Sequence, residues 1–327
     1  MNPHPNLRKI ITALFLMLLF ACGNKTADTE PAPFWFDAYS SFKMDDYQQY
    51  FNQELMTLAP DFVPYGNYII LYYQMENNQL LWTNNGLQEH KIDTLFSFIS
   101  NAYQHGLPEA RFKKNQIDSV VNLLKTHRIE NDAPTLYKTL FHLEMDLTAM
   151  YFDYASALSF GATDPKKVNG VKWLYATKQV DTSFVANLRN QWHNMNESLK
   201  AMAPVDSNYL VLQAEFLRLY PYRDSTLTNI PNNPQSYLHN DDAIKQLCSR
   251  LQLLGILDTS YVPTEILSDT IMTAVNLFRA NNAIPESATI DEETIEKLNR
   301  PISYYTDKLA VNMERLRWRI IPQKGEN

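Results

Sequence analysis

Cysteine and histidine are the side chains with which this sequence could carry out nucleophilic or metal chemistry, and both are scarce. The chain contains 2 Cys and 7 His among 327 residues. A thiolate assisted by a histidine can attack a peptide carbonyl, but Cys248 lies beside Leu247 and Leu251 on an apolar helical face. That position is typical of a small buried core residue. We therefore predict no disulfide and no cysteine zinc site within the chain.

One histidine and one carboxylate have a spacing that suits a shared metal ion. His142 and Asp146 are four residues apart on a predicted helix, so both lie on one face of it. No second histidine with metal-ligand spacing accompanies them, which favours a solvated or structural pair. The sequence also lacks a glycine-rich phosphate loop, and we predict neither a metal nor a cofactor. Paired carboxylates of a glycoside hydrolase follow no spacing rule, so an unrecognised hydrolase stays an alternative.

The length of the chain indicates how many domains it can form, and its net charge limits the polymers that it can bind. A chain of 327 residues is long enough for two domains with sizeable cores. The formal net charge is −7, with no run of basic residues, so nucleic acid is excluded as a partner. Binding to any anionic polymer would have to depend on shape and hydrogen bonds rather than on net charge.

The first 21 residues have the features of a secretory signal. Arg8 and Lys9 precede an apolar run over residues 10–20, which is too short to span a bilayer. Residues 19–22 read Leu-Phe-Ala-Cys and resemble the lipobox of bacterial lipoproteins. The resemblance implies a lipid anchor on Cys22, in the outer membrane and facing the periplasm, followed by a polar tether over residues 22–33. The alternative is an ordinary secretory signal with an incidental cysteine.

The rest of the chain reads as mainly α. Residues 34–223 form one helical domain, in which apolar residues from Leu136 to Tyr154 repeat at spacings of four and three and predict a long buried helix. Residues 67–74 are β-branched and aromatic and predict a strand, which can pair with residues 80–82 as a small β-hairpin. Residues 224–240 are rich in proline and amides and predict a linker.

Residues 241–300 predict a module of three short amphipathic helices. The stretches 253–256, 273–279 and 290–299 resemble the three helices of the peptidoglycan-binding domain of bacterial wall enzymes. That family usually has glutamine where this chain has Arg279, and a glycine-rich turn where residues 285–289 stand here. The resemblance implies wall binding, with Arg279, Asn281 and Asn282 as candidate donors to peptide carboxylates. The alternative is a three-helix module without a ligand.

The region before the module resembles the scaffold domain of long L,D-transpeptidases. The resemblance lies in residues 80–82 (Leu-Leu-Trp), residues 102–107 (Ala-Tyr-Gln-His-Gly-Leu) and residues 159–165 (Ser-Phe-Gly-Ala-Thr-Asp-Pro). Residues 308–318 are similar to the helix that leads into the catalytic domain of that family, and they fall in a C-terminal segment, residues 301–327. The order of scaffold, peptidoglycan-binding module and helix is the same.

The catalytic signature of that family is not found in the sequence. The family uses a cysteine nucleophile in a Ser-His-Gly-Cys stretch, whereas the only His-Gly pair here, His105-Gly106, is followed by Leu107. We therefore expect no catalytic residue, and interpret the chain as a non-catalytic envelope lipoprotein that binds or remodels peptidoglycan. One alternative is a truncated or split L,D-transpeptidase whose catalytic domain is a separate chain. Another is a structural envelope lipoprotein without wall binding.

The last predicted helix carries an apolar face and a cationic one. Leu309, Met313 and Leu316 share the apolar face, which we expect to pack against the long helix around residues 140–150. Trp318 and Arg315 lie elsewhere on the helix and predict an exposed docking site for a partner. Alternatively, Trp318 folds back onto its own helix.

Overall fold

The structure is a computed structural model that describes residues 39–170 and 177–319. The predicted mainly α fold is confirmed. The α-helices of the described residues are α1 Met44–Thr57, α2 Gly66–Gln74, α3 Glu89–Ser100, α4 Lys114–Lys125, α5 Ala133–Phe160, α6 Pro165–Asn169, α7 Thr182–Asn190, α8 Met195–Ala201, α9 Ser207–Leu219, α10 Ser236–His239, α11 Asp241–Leu253, α12 Asp269–Asn281, α13 Glu292–Leu298 and α14 Ile302–Trp318. Short 3₁₀ turns lie at Ala102–His105, Glu109–Phe112, Trp192–Asn194 and Tyr220–Tyr222. Between the described residues, pairing of β type is limited to an isolated antiparallel bridge between Thr177 and Arg319.

The long helix α5 is the axis of the first core. Asp132 caps its N-terminus by accepting a hydrogen bond from the Thr135 backbone amide at 3.0 Å. The helix ends at Gly161, whose φ of +96° is a conformation that glycine adopts without strain. Most side chains from Leu136 to Leu158 are buried. This confirms the buried seam that the sequence predicts.

A buried carboxylate in the middle of α5 holds the loop before α3. Glu144 is fully buried. Its Oε1 accepts from the Leu81 amide at 2.6 Å and its Oε2 from the Thr83 amide at 2.9 Å, while the Trp82 amide lies within 3.2 Å of both oxygens. The Tyr73 hydroxyl donates to Oε1 at 2.9 Å. The carboxylate therefore joins α2, the loop and α5.

The predicted strand over residues 67–74 is wrong, because this segment lies within helix α2. Ile69, Tyr72 and Tyr73 are buried at helical spacing. The same residue types also favour strands, which is why their types alone predict the wrong element. The predicted hairpin is also wrong. Its second segment, residues 80–82, gives backbone amides to Glu144 instead of to a neighbouring strand.

The three helices α11, α12 and α13 have an apolar core of their own. Cys248 is fully buried in it, as the sequence predicts. Ile230 and Tyr237, from the segment predicted as a linker, are also part of this core. The Asn299 side chain accepts from the Ile230 amide at 2.8 Å and donates to its carbonyl at 3.0 Å. This segment is therefore packed onto the module.

The last helix, α14, packs against α9 rather than around residues 140–150 of α5. Met313 is buried against Tyr209 and Phe216, and Leu309 and Leu316 pack on the same cluster. The expected position is wrong because that part of α5 is already covered by α1, where Phe51 lies 5.6 Å from the Phe141 ring. Among the described residues, no helix combines the length and the apolar character needed to cross a membrane.

Replacing Glu144 with glutamine tests how much the first core depends on this carboxylate. In Glu144→Gln an amide nitrogen, which cannot accept a hydrogen bond, replaces one carboxylate oxygen. The backbone amides that donate to that oxygen are then unpaired, and each unpaired donor lowers the stability by about 1–3 kcal/mol. We expect the free energy of unfolding to fall by about 3 kcal/mol or more in urea titrations. Glu130→Gln, at an exposed position, is the matched control and should change it by less than about 0.5 kcal/mol. Equal stability of the two variants would contradict the assigned role.

Candidate functional site

Arg279, the first candidate for binding wall peptides, points into the module. It lies in the last turn of α12, and only 1% of its surface is exposed. Its Nε donates to Thr294 Oγ1 at 2.8 Å and its Nη1 to the Thr289 carbonyl at 3.1 Å, while Nη2 forms an ion pair with Asp291. Each nitrogen of the guanidinium is thus directed at the turn and helix that follow α12. In this structure Arg279 holds α13 in place.

Asp291 is the residue that connects this arginine to α13. It caps the helix by accepting from the Thr294 amide at 2.9 Å. Burial alone would raise the pKa of Asp291, but hydrogen bonds from Thr294 and the charge of Arg279 lower it below its usual value. The carboxyl is therefore ionised at neutral pH and forms a charged pair with Arg279.

The other two candidates in the module do not converge with Arg279 on one surface. Asn281 is exposed. The Asn282 side chain donates to the Phe278 carbonyl at 2.9 Å, and the backbone carbonyl of Asn282 accepts from Lys297 Nζ at 3.2 Å. These contacts fix the end of α12. A binding role for these residues stays a prediction, and only Asn281 presents its side chain to solvent.

Trp318, expected at an exposed edge, is buried with 4% of its surface exposed. The alternative, that Trp318 folds back onto its own helix, agrees with the position of its indole nitrogen. This nitrogen donates to Glu314 Oε1, on the same helix, at 2.9 Å. The ring itself covers Gly161, where a side chain would collide with it. Arg315 is exposed, as predicted. The pair therefore does not form one exposed surface.

A buried arginine near the end of α14, Arg317, connects this helix to the scaffold. The Arg317 side chain is 1% exposed, and its Nη2 donates to Glu314 Oε2 at 2.6 Å. Its Nη1 donates to the His105 carbonyl and to the Tyr209 hydroxyl, both at 2.9 Å. The His-Gly pair at 105–106 is the sequence feature that lies at this contact. Its significance for packing could not be read without the fold.

His105 is neutral in this cluster. Burial and the nearby charge of Arg317 lower the pKa of His105 to about 4. The Tyr209 hydroxyl accepts from Arg317, so its hydrogen is available for His105 Nδ1 at 3.0 Å. Burial would raise the pKa of Glu314, but Arg317 and backbone amides lower it. The cluster pairs the buried charge of Arg317 with the Glu314 carboxylate and with two neutral oxygen acceptors, so it supports packing rather than acid–base chemistry.

A cavity of about 890 Å³ opens beside this cluster, between the ends of α5 and α14 and the start of α9. Phe160, Met202 and Leu316 contribute apolar walls, and Lys178 and Arg319 contribute cations. Elsewhere in the described residues, no group of three or more histidine, cysteine or carboxylate side chains is arranged to hold a metal ion. Cys22, the candidate for lipid attachment, lies outside the described residues.

Substitution of Arg279 separates a structural role from a binding role. Arg279→Met removes the charge beside Asp291 and leaves the Thr289 carbonyl without its donor, so we expect the module to lose about 2–3 kcal/mol of stability in urea unfolding. Arg315→Met is the control, because Arg315 is exposed and its only hydrogen bond to a described residue is a 3.5 Å contact with Asn312. If both variants unfold at the same urea concentration, the buried arginine does not stabilise α13.

Comparison with known proteins gives a family match for one part of the chain. A family model described as the Scaffold domain matches residues 67–216. No curated protein matches the chain significantly. The matched region begins in α2, ends in α9 and includes α5 with its buried Glu144. Residues 67–216 are a scaffold domain of the kind found in L,D-transpeptidases.

Proposed function

We propose that this protein is a non-catalytic lipoprotein of the bacterial cell envelope, which binds peptidoglycan or assists its remodelling. The observation that carries the proposal is the scaffold domain at residues 67–216, because this domain type belongs to enzymes of the cell wall. The helical module at residues 241–299 is similar in sequence to peptidoglycan-binding domains and would supply the contact with the wall.

The reactivity of the single described cysteine supports a role without catalysis. Cys248 is fully buried among apolar side chains of the module. Burial raises the pKa of its thiol, so the thiolate needed for attack on a peptide bond is disfavoured. A transpeptidase reaction that used this residue would require the module to unfold. We therefore assign this chain a binding role.

A basic and aromatic patch next to the module is a candidate surface for wall peptides. Tyr304, in the first turn of α14, lies between two cations. The Arg300 guanidinium carbon is 4.5 Å from the ring centroid and Lys308 Nζ is 4.4 Å from it. Lys308 and Arg300 together lower the pKa of Tyr304. Stem peptides carry carboxylates, and two fixed cations beside a hydroxyl are suitable donors for them.

A second candidate function is support for a catalytic transpeptidase domain on another chain. The observation that favours it is the cavity beside the end of α14, at the point where the similar helix of L,D-transpeptidases leads into the catalytic domain. Val205 on its rim is 86% exposed, and Arg315 is exposed on the nearby surface of α14. An apolar rim with nearby arginine is typical of protein interfaces.

Wall binding can be tested by co-sedimentation of the full chain with purified sacculi. We expect the wild-type protein to sediment and the double variant Arg300→Gln, Lys308→Gln to remain mostly in the supernatant, with affinity reduced about tenfold or more. Arg128→Gln, at an exposed position of the scaffold domain, should sediment like the wild type. Absence of the wild-type protein from the pellet would contradict wall binding and favour a structural envelope protein.

Lipid attachment at Cys22 has a separate test. We expect the wild-type protein to partition into detergent and to show the mass of a diacylated, processed chain, because the thioether-linked lipid adds apolar surface. Cys22→Ala should lose both properties. Retention of membrane binding and of the processed mass by Cys22→Ala would rule out this anchor.

A further inference from the structure

A small polar cavity in the scaffold domain is separate from the surfaces described above. Its volume is about 390 Å³, which is within the range of small-ligand pockets. Arg189 at the end of α7, Lys91 on α3 and Glu76 after α2 are its charged lining. Amide, aromatic and two leucine residues complete the wall, namely Gln79, Leu80, Leu81, Asn84, Gln88, Asn190, Trp192 and His193. The cavity is therefore polar and carries one positive charge in excess.

Arg189 is a buried cation that makes no hydrogen bond of ordinary length to the described residues. Its side chain is only 9% exposed, and the nearest carboxylate, Glu76, lies 3.6 Å from Nη2, which is beyond ordinary hydrogen-bond length. Its Nε is buried without a partner among the described residues. The Tyr72 ring lies 5.2 Å from the guanidinium carbon. Burial raises the pKa of Tyr72, and the nearby charge of Arg189 offsets part of this rise. The Tyr72 hydroxyl has no hydrogen-bond partner among the described residues.

This state is unfavourable for a guanidinium. A buried charge is normally paired and hydrogen-bonded, because transfer from water without compensation costs several kcal/mol. Here the arginine lines a cavity with room for an acceptor. The walls are also held in position, since Lys91 Nζ donates to the carbonyls of Trp192 and His193 at 3.0 and 2.8 Å. The missing acceptor is therefore best supplied by an anion bound in the cavity.

We propose that this cavity binds the terminal carboxylate of a short peptide, with Arg189 as its anchor. The planar guanidinium pairs with a carboxylate through two parallel hydrogen bonds. The nearby Glu76 carboxylate opposes a second negative charge, so a monoanion is favoured over a phosphate dianion. The amides of Gln79, Asn84 and Gln88 can bond the peptide groups of the ligand. This inference goes beyond the proposed function, since it assigns a ligand to the scaffold domain and does not require the module to bind the wall.

Calorimetric titration of the full chain with N-acetyl-alanyl-D-alanine tests the site. The free acid should bind saturably, and the C-terminal amide of the same dipeptide about tenfold more weakly or worse, because it lacks the charge. Inorganic phosphate should bind no better than the amide. Equal binding of acid and amide would overturn the proposal, and so would tighter binding of phosphate than of the acid.

Two variants with opposite effects make the test independent of stability. Arg189→Gln should weaken binding of the acid about tenfold or more. Glu76→Gln, at a side chain that is 49% exposed, should strengthen it, because a competing carboxylate is removed. Arg128→Gln is the matched control and should bind like the wild type. A purely structural role for Arg189 predicts lower stability with an unchanged ratio of acid to amide affinity, and that result, like weaker binding by Glu76→Gln, would refute the site. If Arg189→Gln does not fold, the Glu76→Gln titration decides.

Discussion

The buried carboxylate of Glu144 determines how the scaffold domain is arranged around α5. A carboxylate in an apolar core needs donors, and these come from the backbone of residues 81–83 and from Tyr73. Trp82, held by this contact, lies 4.6 Å from the Trp192 ring in an edge-to-face arrangement. One ionisable group thus connects α2, α5 and the turn after α7. That turn is also a wall of the Arg189 cavity.

Helix α14 joins the module to the scaffold. At its start, the Tyr305 hydroxyl donates to the Lys297 carbonyl of the module at 3.1 Å. Toward its end, it passes close to Gly106 and Gly161, both at positive φ, where a side chain would collide with Ala310 or Trp318. The two glycines stand in the stretches that resemble L,D-transpeptidases. Their presence has a physical reason, which is the close approach of this helix.

The buried arginines differ in how many hydrogen-bond acceptors surround the guanidinium. Arg279 and Arg317 each have a carboxylate and further oxygen acceptors. Arg250 has the carbonyls of Thr228 and Arg300, at 3.2 and 3.4 Å. These three connect neighbouring segments, because a guanidinium can donate in several directions at once. Arg189 lacks such acceptors among the described residues, and this contrast distinguishes a ligand-binding group from a structural one.

The features that depend on local periodicity and capping can be predicted from the amino-acid sequence. The length of α5, the three helices of the module and the caps at Asp132, Ser268 and Asp291 all follow from apolar spacing and from short polar side chains. The sequence did not distinguish a helix from a strand at residues 67–74, because β-branched and aromatic residues fit both. Which charged and aromatic side chains are buried depends on how the helices pack and is not predicted by the sequence pattern. Arg279 and Arg317 have partners on segments that the fold brings together, and the Trp318 ring covers Gly161 at the end of α5. These contacts cannot be read from spacing along the chain.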